Sequence, residues 1–145
     1  MISFQSKTVA LPRLRRRILK RWLRAVAEGY GYKIGDLAYV FCNDAEILEI
    51  NRQYLHHDYY TDIITFPYSE GDVLSADIFI SLDTVRSNAV EFRTLPGEEL
   101  HRVIVHGLLH LCGINDKGPG ERVQMEVAED RALALLREME VGSAD

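Results

Sequence analysis

His106-Gly107-Leu108-Leu109-His110-Leu111-Cys112-Gly113-Ile114-Asn115-Asp116 is the stretch on which the reading of this chain turns. Upstream, Pro96 and Gly97 punctuate the chain, Glu98 and Glu99 suit the positive end of a helix, and Leu100, Val103, Ile104, Leu108 and Leu111 recur at helical spacing. This pattern predicts a helix over roughly residues 97–112. Residues four apart lie one turn above each other, so His106 and His110 share a face and can offer two imidazole nitrogens to one cation. Gly113 is a natural stop, because glycine takes the left-handed conformation freely, and the reversal brings Asp116 back toward the same point. Two histidines and one carboxylate leave a fourth tetrahedral position open, which is the arrangement of catalytic rather than structural zinc. Histidines four apart also occur without a metal, one buried and one solvated; the glycine and the acid at suitable offsets favour the metal. Gly107 calls for close approach of another backbone or a substrate, since a glycine inside a helix costs about 1 kcal/mol relative to alanine.

The same stretch argues against a peptidase. In zinc peptidases the motif His-Glu-x-x-His supplies a glutamate as general base, and Gly107 occupies that slot here. Iron oxygenases also use two histidines and a carboxylate, but on strands, so zinc is the expected metal. Asp62 and Asp77 fall on expected strands and are candidates to reach a cleft or to join a hydrogen-bond network. His101 lies about 140° around the helix from His106 and should not share the ion. Cys112 reads as core.

Around this helix the chain alternates between strands and helices. A short strand near Ile2 to Gln5 precedes a helix whose apolar positions include Leu11, Leu14, Ile18, Trp22 and Val26, ended by Gly29-Tyr30-Gly31. Leu37 to Cys42 reads as a central strand, and Asn43 or Asp44 caps a helix carrying Ile47, Leu48, Ile50 and Tyr54. Thr61 to Phe66 and Ala76 to Ser81 read as strands joined in a hairpin through Pro67, Ser69, Gly71 and Asp72. Helices near Asp83 to Phe92 and Gly120 to Met139 complete an α+β chain with about four strands and about five helices, read as one domain over residues 1–145.

Composition bounds the function. The chain of 145 residues is 47% hydrophobic and 27% charged, with two cysteines, Cys42 and Cys112, too few for a disulfide framework. The start lacks the layout of a signal peptide and no apolar run approaches a membrane span, so the expected location is the cytoplasm. Net charge is −5, yet from Arg13 to Arg24 there are seven basic residues (Arg13, Arg15, Arg16, Arg17, Lys20, Arg21, Arg24) and no acidic one. On an amphipathic helix these make a basic outer face, suited to nucleic-acid phosphates or to balancing acidic helices elsewhere.

Two blocks now carry a resemblance. His106-x-x-x-His110-x-x-Gly113, with Asn51-x-x-Tyr54-x-x-x-Asp58-x-x-Thr61-Asp62-Ile63-Ile64-Thr65-Phe66, resembles the YbeY family of bacterial endoribonucleases, also called ribosomal RNA maturation factors. The resemblance implies a mixed sheet with a zincin-like metal helix lining a cleft and one zinc ion per chain at His106, His110 and Asp116. It also implies no small-molecule cofactor, single-strand-specific cleavage of RNA, maturation of the 3′ end of the 16S ribosomal RNA, and a part in ribosome quality control with the small subunit as partner. Asp116 stands where the family commonly has a third histidine, Asn115 replaces the aspartate before it, and Leu55 replaces an arginine that would meet the RNA phosphate. That contact then falls to His56, His57 or a basic-helix residue such as Arg13, Arg16, Arg17, Lys20 or Arg24, or is vacant. Attack by metal-activated water or by the RNA's own 2′-hydroxyl both fit. A second reading is an RNA-binding ribosome-assembly factor with a structural metal and little catalysis; Leu55 and Gly107 favour it and the open ligand count opposes it.

Overall fold

The computed structural model describes residues 1–55 and 61–142. In chain order the elements are β1 (Ile2–Ser6), α1 (Arg16–Gly29), β2 (Lys33–Cys42), α2 (Asp44–Leu55), β3 (Ile63–Pro67), β4 (Val73–Ser81), α3 (Leu82–Glu91), α4 (Pro96–Leu111) and α5 (Glu121–Gly142). The sheet order is β1-β2-β4-β3. β1 and β4 both run parallel to β2, while β3 closes the other edge antiparallel to β4, with Ile63 opposite Ile80 and Pro67 opposite Ala76. The sheet is thus mixed, and the expected hairpin joins its two last strands.

Strand alternation sorts the apolar residues between the two faces. Leu37, Tyr39, Phe41, Ile78 and Ile80 pack with α1, α4 and α5 in the larger core. Cys42, Ile64, Phe66 and Phe79 form a smaller cluster beneath α2, against Ile47 and Ile50. Trp22 of α1 is fully buried, its indole Nε1 donating to the Ala132 carbonyl of α5 at 2.7 Å, so α1 is tied to α5 as well as to the sheet. The Tyr39 hydroxyl donates to the Ile104 carbonyl at 2.8 Å, fastening the middle of α4 to the central strand.

The local signals explain the boundaries. At α2 the side chain of Asn43 accepts from Glu46 N–H at 2.8 Å while the Glu46 carboxylate accepts from Asn43 N–H at 3.0 Å, a reciprocal capping box that selects Asn43 over Asp44 as the cap. Two expectations need correction. α1 starts at Arg16 and leaves Leu11 exposed, because Pro12 biases residue 11 away from helical backbone. β2 begins at Lys33 rather than Leu37: Lys33-Ile34-Gly35-Asp36 is poor in strand formers, and its pairing with β4 shifts register between Ile34 and Leu37. No helix among the described residues is long and apolar enough to cross a membrane.

Candidate metal centre and its cleft

α4 presents one face to a cleft of about 600 Å³, with Glu99, Arg102, Val103 and His106 on that wall and Asp62, Asp116, Arg122 and Glu129 among the groups opposite. The helix seats closely on the sheet at Gly107. A Cβ there would lie 3.0 Å from Ile63 Cδ1 and 3.1 Å from Ile78 Cδ1, so side chains of β3 and β4 make the close approach that the glycine called for.

α4 ends in a Schellman motif: Ile114 N–H donates to the Leu109 carbonyl at 3.1 Å and Gly113 N–H to that of His110 at 3.0 Å, with Gly113 at φ +92°. The turn returns Asp116 to the histidines. Its Oδ2 lies 3.4 Å from His106 Nε2 and 3.4 Å from His110 Nε2. Ligands about 2.0–2.1 Å from a tetrahedral zinc ion sit roughly 3.3–3.4 Å from one another, so this spacing fits a shared cation. The other oxygen, Asp116 Oδ1, is buried without a hydrogen-bond partner. Lone pairs converging beside an orphaned carboxylate oxygen are an arrangement that a cation relieves. Among the described residues, His106, His110 and Asp116 form the one such group able to hold a metal ion.

A network centred on the buried Glu129 stands behind the donors. His106 Nδ1 is 2.6 Å from Glu129 Oε2, Arg102 Nη1 donates to Glu129 Oε1 at 2.9 Å, and Arg102 Nη2 donates to Asp130 Oδ1 at 2.7 Å. Burial acts to lower the pKa of His106, but the Glu129 hydrogen bond and the charges of Glu129, Asp116 and Asp62 outweigh it and the net shift is upward. For His110 the net shift is downward: burial and the neighbouring His106 lower it more than Asp116 raises it. Burial raises Glu99, with Asp62 and Glu129 adding to the rise while Arg102 and Thr94 oppose it.

Other candidates separate cleanly. Asp62 lines the cleft, whereas Asp77 does not. Asp77 shares the α2 face of β4 with Phe79, and its Oδ1 accepts from the Tyr68 hydroxyl at 3.4 Å. His101 turns to the opposite side of α4, edge-on to Trp22 at 6.2 Å, and burial lowers its pKa. Cys112 packs against the core, and burial pushes its thiol up to about 11. Leu55 sits half-exposed at the end of α2, while His56, His57 and Asp58 lie outside the described residues. The arginines and lysine of α1 do not line the cleft; Arg102 and Arg122 supply its cationic groups.

A family model described as Endoribonuclease YbeY matches residues 1–137. Curated relatives named Endoribonuclease YbeY include one from Parabacteroides distasonis, 61% identical over 94% of this chain and 96% of its own, and one from Phocaeicola vulgatus, 61% identical over 94% and 99%. The chain belongs to the YbeY endoribonuclease family. The solution structure of TM1509 from Thermotoga maritima superposes on it with a TM-score of 0.64 at 25% identity, covering 100% of this chain and 97% of the other. Within this YbeY chain the residues missed by sequence reasoning are Glu129 and Arg102. A signal for Glu129 was present: it interrupts the buried stripe Met125, Ala128, Ala132, Leu133 and Leu136 of α5, where a carboxylate must find a partner.

Proposed function

We propose that the chain, acting as one domain over residues 1–145 in the cytoplasm, is a zinc-dependent, single-strand-specific endoribonuclease in maturation of the 3′ end of small-subunit ribosomal RNA. The observation that carries the metal reading is the convergence of His106 Nε2, His110 Nε2 and Asp116 Oδ2 beside an orphaned buried oxygen. When bound, the zinc ion supplies Lewis-acid activation of a phosphoryl oxygen and of water.

The chain's own groups do the rest. His106 and His110 hold the ion with neutral nitrogens, and Asp116 contributes the single anionic donor. Asp62 lines the same cleft and its carboxylate makes no ion pair among the described residues, so we assign it the proton of the attacking group, whether water or the 2′-hydroxyl. Arg122 reaches the cleft wall with a largely exposed side chain, paired loosely with Glu126 at 3.6 Å, and takes the phosphate contact that Leu55 cannot make.

RNA is also drawn to α1. Arg13, Arg16, Arg17, Lys20, Arg21 and Arg24 have no ion pair among the described residues, and α1 has no acidic residue in its first turn and no side-chain cap. Cations such as Arg16 and Arg17 at the positive end of a helix dipole cost stability, and a phosphate partner would offset that cost.

Zinc analysis of the purified chain and cleavage of end-labelled RNA test the reading. Expected are about one zinc ion per chain, cleavage of single-stranded RNA over duplex, and loss of both zinc and cleavage in Asp116→Ala. Cleavage that persists in His110→Ala or under chelation overturns it.

A further inference from the structure

We propose that Glu129 is a positioning residue of the candidate metal centre: it fixes the ring of His106 so that Nε2 faces the shared point, and Arg102 fixes Glu129 in turn. The inference rests on the zinc-dependent reading above and concerns how tightly the ion is held.

The hydrogen-bond chemistry assigns the roles. A carboxylate can only accept, so at 2.6 Å the hydrogen lies on His106 Nδ1 and the Nε2 lone pair is left toward Asp116. Glu129 is 6% exposed on the apolar stripe of α5, where an aliphatic side chain packs without a desolvation cost. Its second oxygen is held by Arg102, one turn before His106 on α4, and the other arm of that guanidinium is held by Asp130. The angle of the carboxylate is therefore set from two helices. His110 differs: its Nδ1 has no hydrogen-bond partner among the described residues. Glu129 therefore orients His106 directly and does not bond to His110, whose ring rests edge-on against that of His106 at 4.6 Å.

The competing explanation is a clamp that merely joins α4 to α5. Replacing a buried ion pair by apolar groups of similar volume is commonly neutral or stabilising, which separates the two. Glu129→Leu combined with Arg102→Met is expected to keep the thermal midpoint of the zinc-free protein and to weaken zinc binding, measured by competition with a chromophoric chelator, by about 10–100-fold. Glu129→Gln keeps the volume and an acceptor for Nδ1 but turns an amide donor toward Arg102, and should weaken zinc binding by less. Native zinc affinity in both variants overturns the proposal, even if cleavage changes. If the native chain binds no zinc, the underlying reading fails as well; native binding with unchanged variants sinks the positioning role alone.

Discussion

The cleft and the outer face of α1 are both crowded with charge, and they hold it in opposite ways. In the cleft Arg102 is fixed by Glu129 and Asp130 and His106 by Glu129, while Arg122 at the rim pairs only loosely with Glu126. From Arg13 to Arg24 six cations stand without an ion pair among the described residues, and Arg15 alone meets an acid, Glu140 at 3.5 Å. Charge tied to partners is committed to geometry, which chemistry needs. Untied charge acts at a distance and is screened by salt, which suits encounter with a polyanion.

Altering the two regions separately puts this division of labour at greatest risk. Asp62→Asn should lower kcat for RNA cleavage by about 10²–10⁴-fold with zinc content and KM nearly unchanged, the signature of a missing proton acceptor. An unaltered kcat would remove Asp62 from the chemistry. Reversing Arg16, Arg17, Lys20 and Arg24 to glutamate should leave single-turnover cleavage at saturating RNA unchanged. It should weaken RNA binding by about tenfold or more, and lower the slope of log K against log salt by about 0.7 for each phosphate that the helix no longer neutralises. A slope equal to that of the native protein would return α1 to the role of a solvated face.

His101 lies where the two regions meet, on the back of α4 against Trp22 of α1. Its folded pKa is depressed by burial, so below its ordinary value of 6.5 the unfolded chain binds more protons than the folded one, and stability falls as pH drops through that window. His101→Phe keeps the aromatic packing and removes the proton, so urea midpoints from roughly pH 6.5 down to pH 5 should fall less steeply than in the native chain. Parallel slopes would mean that His101 is not sensed. The smallest effect belongs to the cleft rim. α3 ends as α4 does, with Thr94 N–H donating to the Ala89 carbonyl and Arg93 N–H to that of Val90, but the left-handed position holds Arg93 at φ 55° instead of a glycine. Arg93→Gly relieves a left-handed penalty of about 1–2 kcal/mol, less the entropy that glycine adds to the unfolded chain, for a net gain of about 0.5 kcal/mol in urea unfolding.

How far the sequence could be read follows from which interactions are periodic. The histidine face of α4, the stop at Gly113 and the strands with alternating residues were legible because each depends on neighbours within one turn or one pleat. The tight seating at Gly107 was legible as a requirement, although Ile63 and Ile78 could not be named as its cause. Asp62 and Asp77 looked equivalent, and only the pleat of β4 sends Asp77 to the α2 face. Glu129 is legible as an acid on the apolar stripe of α5, but its partner is not, because its pairing with Arg102 joins helices 27 residues apart in sequence and Arg102 alone resembles an ordinary surface charge. Leu55 is legible as a departure from the family pattern, but Arg122, the cleft cation to which we assign the phosphate contact, lies on α5, outside both blocks that carry the resemblance.

The left-handed residue at position 113 also acts as a gauge of length. From the last imidazole to the returning carboxylate the chain has five intervening residues, and the amides of Cys112, Gly113 and Ile114 are spent on carbonyls of the helix just left. Removing or adding a single residue in that arc would aim the carboxylate at solvent while leaving sheet and helices intact, so this bend should tolerate changes of side chain far better than changes of count.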